Sequence, residues 1–288
     1  MITHPFTYEA PTTIDDAVRA LGRSGEAKIL AGGHSLIPLM KLGLAEPELL
    51  VDIGRIAALR EIKSEDGWVV VGALATHRSI ADNARVASTL RALAEAAAAV
   101  GDLQVRSRGT IGGSIAHADP AADEPAATLA FDATVRVIGP KGRRDIPARE
   151  FFKGTFETAL GPNEIVVEIR FPAPAGRSGS AYAKFAHPAS GFAIVGVAAV
   201  VGLKGDGTVE RAAIGVTGAA AGPFRATAAE RALAGTRGDA GAIAAAVARA
   251  ADGVTTLSDL TASAVFRQHL VTVQARRALE RAMERARG

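Results

Sequence analysis

Two diglycine turns constrain this chain more than any other feature of its sequence. The first, Leu30-Ala31-Gly32-Gly33-His34-Ser35, follows a short apolar run at 27–30 and precedes a helical pattern at 36–44. The second, Arg108-Gly109-Thr110-Ile111-Gly112-Gly113-Ser114, comes roughly 80 residues later and again sets hydroxyl side chains beside paired glycines. Where a strand passes into a helix through Gly-Gly, several amide groups can turn toward one point with no Cβ in the way. An anion can then lie against them, assisted by the helix N-terminus. Neither turn spells GxGxxG or GxxxxGK[ST], so the common dinucleotide and P-loop patterns are not supported. Each turn alone reads equally as an ordinary tight turn. As a pair, they suggest one ligand with two phosphates gripped from both sides, so that a β-carbon at Gly33 or Gly113 would occupy the diphosphate's place.

The surrounding texture divides the chain. Thr13 is an N-cap for a helix over 14–22, and a strand at 49–53 completes a strand–turn–helix–strand unit within about the first 55 residues. Glu65-Asp66-Gly67 marks a hairpin ahead of a strand at 68–71. An Ala-rich helix is expected over 86–100, then a Gly-rich stretch from Gly101 to Ser114, then strands at 134–138, 143–146 and 165–171. Pro172 to Ser180 reads as a linker. Beyond it, strands at 181–185, 192–201 and 209–216, the last two joined at Gly205-Asp206-Gly207, suggest an antiparallel sheet. Helices at 226–234, 242–251 and 264–286 close the chain. The final helix sets Arg267, Arg276, Arg277, Arg281, Arg285 and Arg287 against Phe266, Leu270, Val273, Leu279 and Met283, and the plain reading of those arginines is a solvated face. Domains are therefore expected at 1–176, with subdomains at about 1–55 and 56–176, and at 177–288.

Composition narrows the function classes. A chain of 288 residues is long enough for two domains, and it contains no Cys, which removes disulfides, thiolate metal sites, cysteine-ligated iron–sulfur clusters and cysteine nucleophiles. A net charge of +3 and 5% aromatic residues argue against nucleic-acid binding. The opening MITHPFTYEAPTT lacks a basic stretch followed by an apolar core, so it is read as no secretory signal. The most apolar run, 192–203, is too short to span a bilayer, and a cytoplasmic protein without an integral membrane segment is expected. His4, His77, His117, His187 and His269 show no metal-ligand spacing and read as surface or satisfied side chains. No catalytic acid, nucleophile or metal site is expected.

Behind the second turn stands Asp119-Pro-Ala-Ala-Asp123-Glu124-Pro. A carboxylate there suits ribose or ribityl hydroxyls better than phosphate, and Asp123 also reads as the N-cap of a helix over 124–131 with Pro125 in its first turn. These residues, with Ala31-Gly-Gly-His-Ser35, Thr110-Ile-Gly-Gly113 and the run from Ser114 to Asp123, resemble the FAD-binding medium subunit of the molybdenum hydroxylases, the xanthine dehydrogenase and aerobic carbon monoxide dehydrogenase medium chain family. Lys184-Phe-Ala-His-Pro-Ala-Ser-Gly-Phe-Ala-Ile-Val-Gly-Val197 and Phe266-Arg-Gln-His-Leu270 with Arg277-Ala-Leu279 extend the resemblance over nearly the whole chain.

The resemblance implies an α+β architecture, with a two-subdomain PCMH-type FAD-binding domain followed by an antiparallel sheet with helices. It implies that Ile29, Leu30, Ala31, Gly32, Gly33, His34, Ser35 and Leu36 form the first pyrophosphate loop, and that Thr110, Ile111, Gly112, Gly113 and Ser114 form the second. Family members often carry Asn where this chain has Ser114. Val100, Ala116 and Asp119 join the site, Asp123 binds polar groups on the flavin side, Ile165 and Val166 line the pocket, and Lys184 stands near the isoalloxazine. Phe192 occupies a position where the carbon monoxide dehydrogenase type commonly has Tyr; it is read either as a flavin shield or as core. The implied function is an electron-transfer subunit carrying noncovalent FAD. Its implied partners are a small subunit with 2Fe–2S clusters and a large molybdopterin subunit, together a dimer of heterotrimers, and the substrate is carbon monoxide, an aldehyde or an N-heterocycle. Two other readings remain: a stand-alone FAD oxidoreductase with related loops, and a non-enzymatic nucleotide-binding scaffold.

Overall fold

The computed structural model describes residues 2–288. In the first 55 residues, β1 (Thr7–Glu9), α1 (Ile14–Leu21), β2 (Ala27–Leu30), α2 (Leu36–Lys41) and β3 (Leu49–Asp52) form a three-stranded parallel sheet in the order β1-β3-β2. Thr13 caps α1 as its sequence suggests, its hydroxyl accepting from the Asp16 amide at 3.1 Å. Helix α2 stops three residues before its sequence pattern ends, and Gly43 follows at φ +70°.

The next stretch combines helices with an antiparallel sheet. β4 (Ile62–Glu65) and β5 (Trp68–Gly72) form the expected hairpin, its turn made by Asp66 at φ +49° and Gly67 at φ +80°. Six helices follow: α3 (His77–Ala81), α4 (Ala84–Thr89), α5 (Arg91–Ala99), α6 (Leu103–Arg108), α7 (Ile111–His117) and α8 (Glu124–Ala130). Then come β6 (Thr134–Gly139), β7 (Gly142–Pro147), α9 (Ala148–Phe151), a small β8 (Phe152–Gly154) and β9 (Glu157–Thr158) pair, and β10 (Ile165–Pro172). The sheet order is β4-β5-β10-β6-β7. Two expectations are corrected here. The single helix over 86–100 is two, broken at Leu90 (φ −123°, ψ +53°), a break that lets Val86, Leu90 and Leu93 all reach the core. The second glycine loop expected over 110–114 is instead the start of α7, capped by Thr110, and ahead of it Asp102 caps α6 through the Val105 amide.

The linker is shorter than composition suggested, because Pro172 still pairs with Trp68 and β11 (Arg177–Ala186) begins at the sixth residue of the Pro/Gly/Ser run, leaving residues 173–176 between strands. β11, β12 (Ala193–Leu203), β13 (Val209–Thr217) and β14 (Phe224–Arg225) form an antiparallel sheet in sequence order, followed by α10 (Thr227–Leu233), α11 (Ala240–Val247) and α12 (Ala264–Arg287). One sheet face, with Ala181, Ala183, Val197 and Ile214, packs on the closing helices. The other, with Tyr182, Ala198 and Ala213, joins the core built on α5 and α8. The architecture is α+β throughout, and no helix among the described residues is long and apolar enough to cross a membrane.

Only half of the α12 arginines named above lie on a solvated face. Arg267 is buried and donates to the carbonyls of Ile194 (2.8 Å) and Gly218 (2.6 Å) and to Asp259 (2.6 Å). Arg281 reaches the Tyr182 carbonyl, Arg285 the Ser180 carbonyl, and Arg287 the carbonyls of Arg237 and Gly238. β11 is an edge strand, and guanidinium groups from the helix beside it satisfy its outward carbonyls. Arg276, Arg277 and Arg287 match the expected exposure.

Candidate cofactor cleft

The first diglycine turn is held by one glycine and opened by the other. A β-carbon on Gly32 would lie 2.3 Å from the Arg108 carbonyl oxygen and 2.8 Å from Gly109 Cα, so this turn presses directly on the backbone leading into the second. Gly33 has φ +73°, a conformation L side chains rarely adopt. The amides of Gly32, Gly33, His34 and Ser35 donate to no acceptor among the described residues. His34 Nδ1 lies 2.9 Å from the Gly32 carbonyl, which folds the imidazole back over the turn. These residues are half-buried or exposed, so an anion in the cleft would take the place of water on their amides rather than of a protein acceptor.

The second turn differs. Its amides are spent within the protein: Ile111 on the Ala75 carbonyl (3.0 Å), Gly112 on Ala73 (2.9 Å), Gly113 on the Thr110 hydroxyl (3.2 Å) and Ser114 on the Thr110 carbonyl (2.9 Å). Gly112 is required for packing, since its β-carbon would come within 2.5 Å of that of Ala73. At Gly113 the only close atom is Thr110 Oγ1, at 2.9 Å. The paired glycines therefore form the first turn of α7 rather than a loop before it.

The two turns nevertheless meet at one cavity of about 510 Å³. Leu30, Ala31, Gly32, Gly33 and His34 line it from one side and Thr110 from the other. Sequence reasoning missed its cations. Arg55, Arg60 and Arg108 all line it; Arg60 is tied to the Gly54 carbonyl at 2.8 Å, while Arg55 and Arg108 have no hydrogen-bonded side-chain partner among the described residues. Arg108 stood at the edge of the second motif, but Arg55 and Arg60 follow β3 and no local pattern marks them. Asp52 completes this wall, fixed by the Tyr8 hydroxyl (2.6 Å) and the Gly54 amide (2.8 Å). Free amides facing guanidinium groups suit an anion with its charge spread over several oxygens.

A second corner gathers residues from distant positions. Asp123 is buried, accepting from Tyr182 Oη at 2.6 Å and Lys184 Nζ at 2.9 Å, and Lys184 also donates to the Ala99 carbonyl at 2.8 Å. Asp123 does not cap α8 with its side chain, because its carboxylate is turned to this pair instead. Burial raises its pKa above the ordinary carboxylate value, against the pull of Lys184 and Tyr182, and burial beside Asp123 pushes the Tyr182 phenol well above its own. Lys184, Tyr182 and Ala99 line a second cavity of about 730 Å³ with Gln274 and Arg277.

The other expected residues are placed as follows. Ile29 and Ile165 pack with the core of the first sheet, and Ile111 and Val166 lie in the central core, with Ala116 packed against it. Ser35 and Leu36 open α2, and Ser35 makes no side-chain cap bond. Asp119 closes a turn by accepting from the Ala121 amide at 2.8 Å. Val100 ends α5, its carbonyl taken by Arg106. Ser114 is half-buried within α7. Phe192 is 49% exposed, which removes the core reading; its turn, closed by the His187 amide on the Phe192 carbonyl, places Gly191 within 3.5 Å (by its β-carbon position) of Gly101 Cα.

The sequence profile for the FAD binding domain in molybdopterin dehydrogenase matches residues 4–174, more than half of the chain, and that for the CO dehydrogenase flavoprotein C-terminal domain matches residues 180–282. The chain belongs to the FAD-binding medium subunits of the molybdenum hydroxylases. It is 46% identical over 221 residues to the carbon monoxide dehydrogenase medium chain of Hydrogenophaga pseudoflava, covering 76% of this chain and 77% of that one. It is 36% identical to the 6-hydroxypseudooxynicotine dehydrogenase complex subunit alpha of Paenarthrobacter nicotinovorans, over 98% of this chain and 96% of that one. The solved carbon monoxide dehydrogenase from Hydrogenophaga pseudoflava that lacks the Mo-pyranopterin moiety superimposes with a TM-score of 0.95 at 43% identity, covering 99% of each chain. As a medium subunit, the chain is an FAD-binding oxidoreductase component, and the free amides, guanidinium groups and side-chain-free faces of its cleft fit that cofactor.

Proposed function

We propose that the diphosphate of FAD lies in the cavity between Gly32–Ser35 and Thr110, with its isoalloxazine end directed to the Asp123–Lys184 corner and Phe192. The observation that carries this placement is the row of unpaired amides at Gly32, Gly33 and His34 in the cavity that the free guanidinium groups of Arg55 and Arg108 also line. Bound there, FAD supplies the chain's redox chemistry, which the side chains themselves lack. The residues of the chain bind, orient and shield: amides and arginines neutralise the diphosphate, Lys184 and Asp123 present one donor and one acceptor pair, and Phe192 covers an exposed edge. The proposed domain division is 1–176 for the FAD-binding part and 177–288 for the closing part.

With no Cys in the chain, electrons must arrive from a cluster on another polypeptide. The proposed partners are a small subunit with 2Fe–2S clusters and a large molybdopterin subunit, in a cytoplasmic dimer of heterotrimers, with electrons leaving to an external acceptor. The two relatives above are named for different substrates, so carbon monoxide, an aldehyde and an N-heterocycle all remain compatible with this subunit. Purification of the full chain with its neighbours is the test. The expected result is a yellow complex in which flavin, iron and molybdenum co-elute; a chain that takes up no FAD when it is supplied defeats the proposal.

A further inference from the structure

Two buried ionisable groups have no part in the cofactor contacts above. Glu124, the first residue of α8, is fully buried, and His77, the first of α3, is 5% exposed. His77 Nδ1 and Glu124 Oε1 are 2.8 Å apart, while Glu124 Oε2 is buried without any partner among the described residues. Each member of the pair is joined to a residue the proposed FAD placement uses. Glu124 directly follows Asp123. On the other side, the His77 amide donates to the Gly109 carbonyl at 3.1 Å, Thr76 and Thr110 form a β-bridge, and a β-carbon on Gly109 would sit 2.7 Å from His77 Nε2. The imidazole thus lies under the Gly109-Thr110 backbone, and Thr110 both lines the cavity and caps α7.

We infer that His77, held charged by Glu124, is a positioning residue that fixes the Gly109-Thr110 segment against the Asp123–Lys184 corner, so that FAD binds more tightly when His77 is protonated. Removing the proton leaves the Glu124 carboxylate buried without a counter-charge, beside a second buried carboxylate at Asp123. Such a charge is costly, and the strain is relieved by moving α3 away from α8, which shifts Thr76, the cap of α3, and its bridge partner Thr110, both of which line the cavity.

The electrostatic surroundings support the charged form. Helix α8 faces His77 with Glu124 and Asp123, and α6 faces it with Arg106, whose guanidinium is tied to the carbonyls of Val100 and Gly101. Helix α5 turns Ala92, Leu93 and Ala96 inward, and its Glu95 is committed to Arg285 and the Tyr182 amide. On α3 itself, Arg78 pairs with Asp82 at the surface. Burial lowers the imidazole pKa, but Glu124 and then Asp123 outweigh it, and the net direction is upward. A group whose pKa is raised in the organised state favours that state at low pH, and the advantage is lost as pH rises through the raised value. FAD affinity therefore falls with rising pH.

This inference rests on the diphosphate lying beside Thr110, and the test separates the two. The full-length chain, stripped of flavin, is titrated with FAD by flavin fluorescence from about pH 6 to about pH 9, the range in which histidine changes charge. The expected result is a wild-type Kd that rises about tenfold across the range. His77→Gln and Glu124→Gln should both give flat profiles: His77→Gln near the wild-type affinity at the upper end, because the Glu124 carboxylate still lacks a counter-charge, and Glu124→Gln near the lower-end affinity, because no buried charge is left to strain the pair. Parallel slopes in wild type and His77→Gln overturn the inference while leaving the cofactor placement intact, and so does a flat wild-type profile. Should His77→Gln fail to fold, a wild-type slope in Glu124→Gln overturns it equally. No FAD binding by wild type at any pH sinks the placement and the inference together.

Discussion

The two diglycine turns look interchangeable as sequence and do different work as structure. At Gly32-Gly33 one glycine makes room for neighbouring backbone and the other takes a left-handed conformation, and four consecutive amides are left free. At Gly112-Gly113 every amide of the first helical turn is used inside the protein. The proposed diphosphate site therefore rests on the first turn. The second supplies the Thr110 hydroxyl and a surface without side chains, held in place by hydrogen bonds to residues 73–75. Paired glycines beside hydroxyl residues tell where backbone approaches closely; they do not tell whether the approaching partner is a ligand or the protein's own chain.

The largest effect that can break this comparison is on stability. Gly32→Ala and Gly112→Ala each drive a methyl group into backbone or Cβ atoms at 2.3–2.5 Å, positions that cannot yield by a side-chain rotation. Each should destabilise the fold by roughly 3 kcal/mol, read from urea or thermal unfolding of the flavin-free chain. If Gly32→Ala melts with the wild type, the close approach between the two turns is misplaced; if Gly112→Ala does, the packing of the second turn on Ala73 is misplaced.

Next comes a loss of cofactor without loss of fold. Gly33→Val forces a β-branched residue to φ +73° at the mouth of the cavity, where Ile37 and Leu30 are the nearest neighbours at 3.1 and 3.4 Å. FAD affinity should fall by about a hundredfold, from backbone displacement together with blocked amides, while α2 and its sheet remain folded. Unchanged affinity in a FAD titration would mean the free amides do not face the diphosphate. Arg108→Gln should cost less, about tenfold in Kd for one charged hydrogen-bonding partner, and its effect should shrink as salt is added. An identical loss at high salt would place Arg108 outside the anion's reach.

How much of this was legible in the sequence depends on how far apart the interacting residues lie. Strand and hairpin positions were readable because side-chain alternation and turn residues such as Asp66-Gly67 are local signals. The break at Leu90 was not, because an unbroken Ala-rich run satisfies helix propensity equally well and only tertiary packing selects the kink. Arg281 and Arg285 of α12 were misread for the same reason: amphipathic spacing shows that they share a helix side, not that an edge strand stands there with unpaired carbonyls. Arg55 and Arg108 reach one cavity from points 53 residues apart in numbering, and His77 meets Glu124 across a separation of 47. Motif spacing carries no trace of either meeting. What the motif did mark correctly was the pair of turns, since close backbone approach leaves a residue-type requirement on the chain itself.

The smallest predicted effect is the one that tests the comparison most directly. Gly113→Ala meets only the Thr110 hydroxyl, at 2.9 Å, and lies inside a helix, where replacing glycine by alanine gains about 0.5–1 kcal/mol in backbone entropy. That gain offsets the small displacement of Thr110, so stability should change by less than about 1 kcal/mol. FAD affinity should drop only a few-fold, because the Gly113 amide already serves Thr110 and is no primary anchor. Measured beside Gly33→Val in the same titration, the two glycines should differ by more than about tenfold in Kd. Equal losses would show that the second turn grips the diphosphate as firmly as the first, with its amides exchanging internal acceptors for phosphate oxygens on binding.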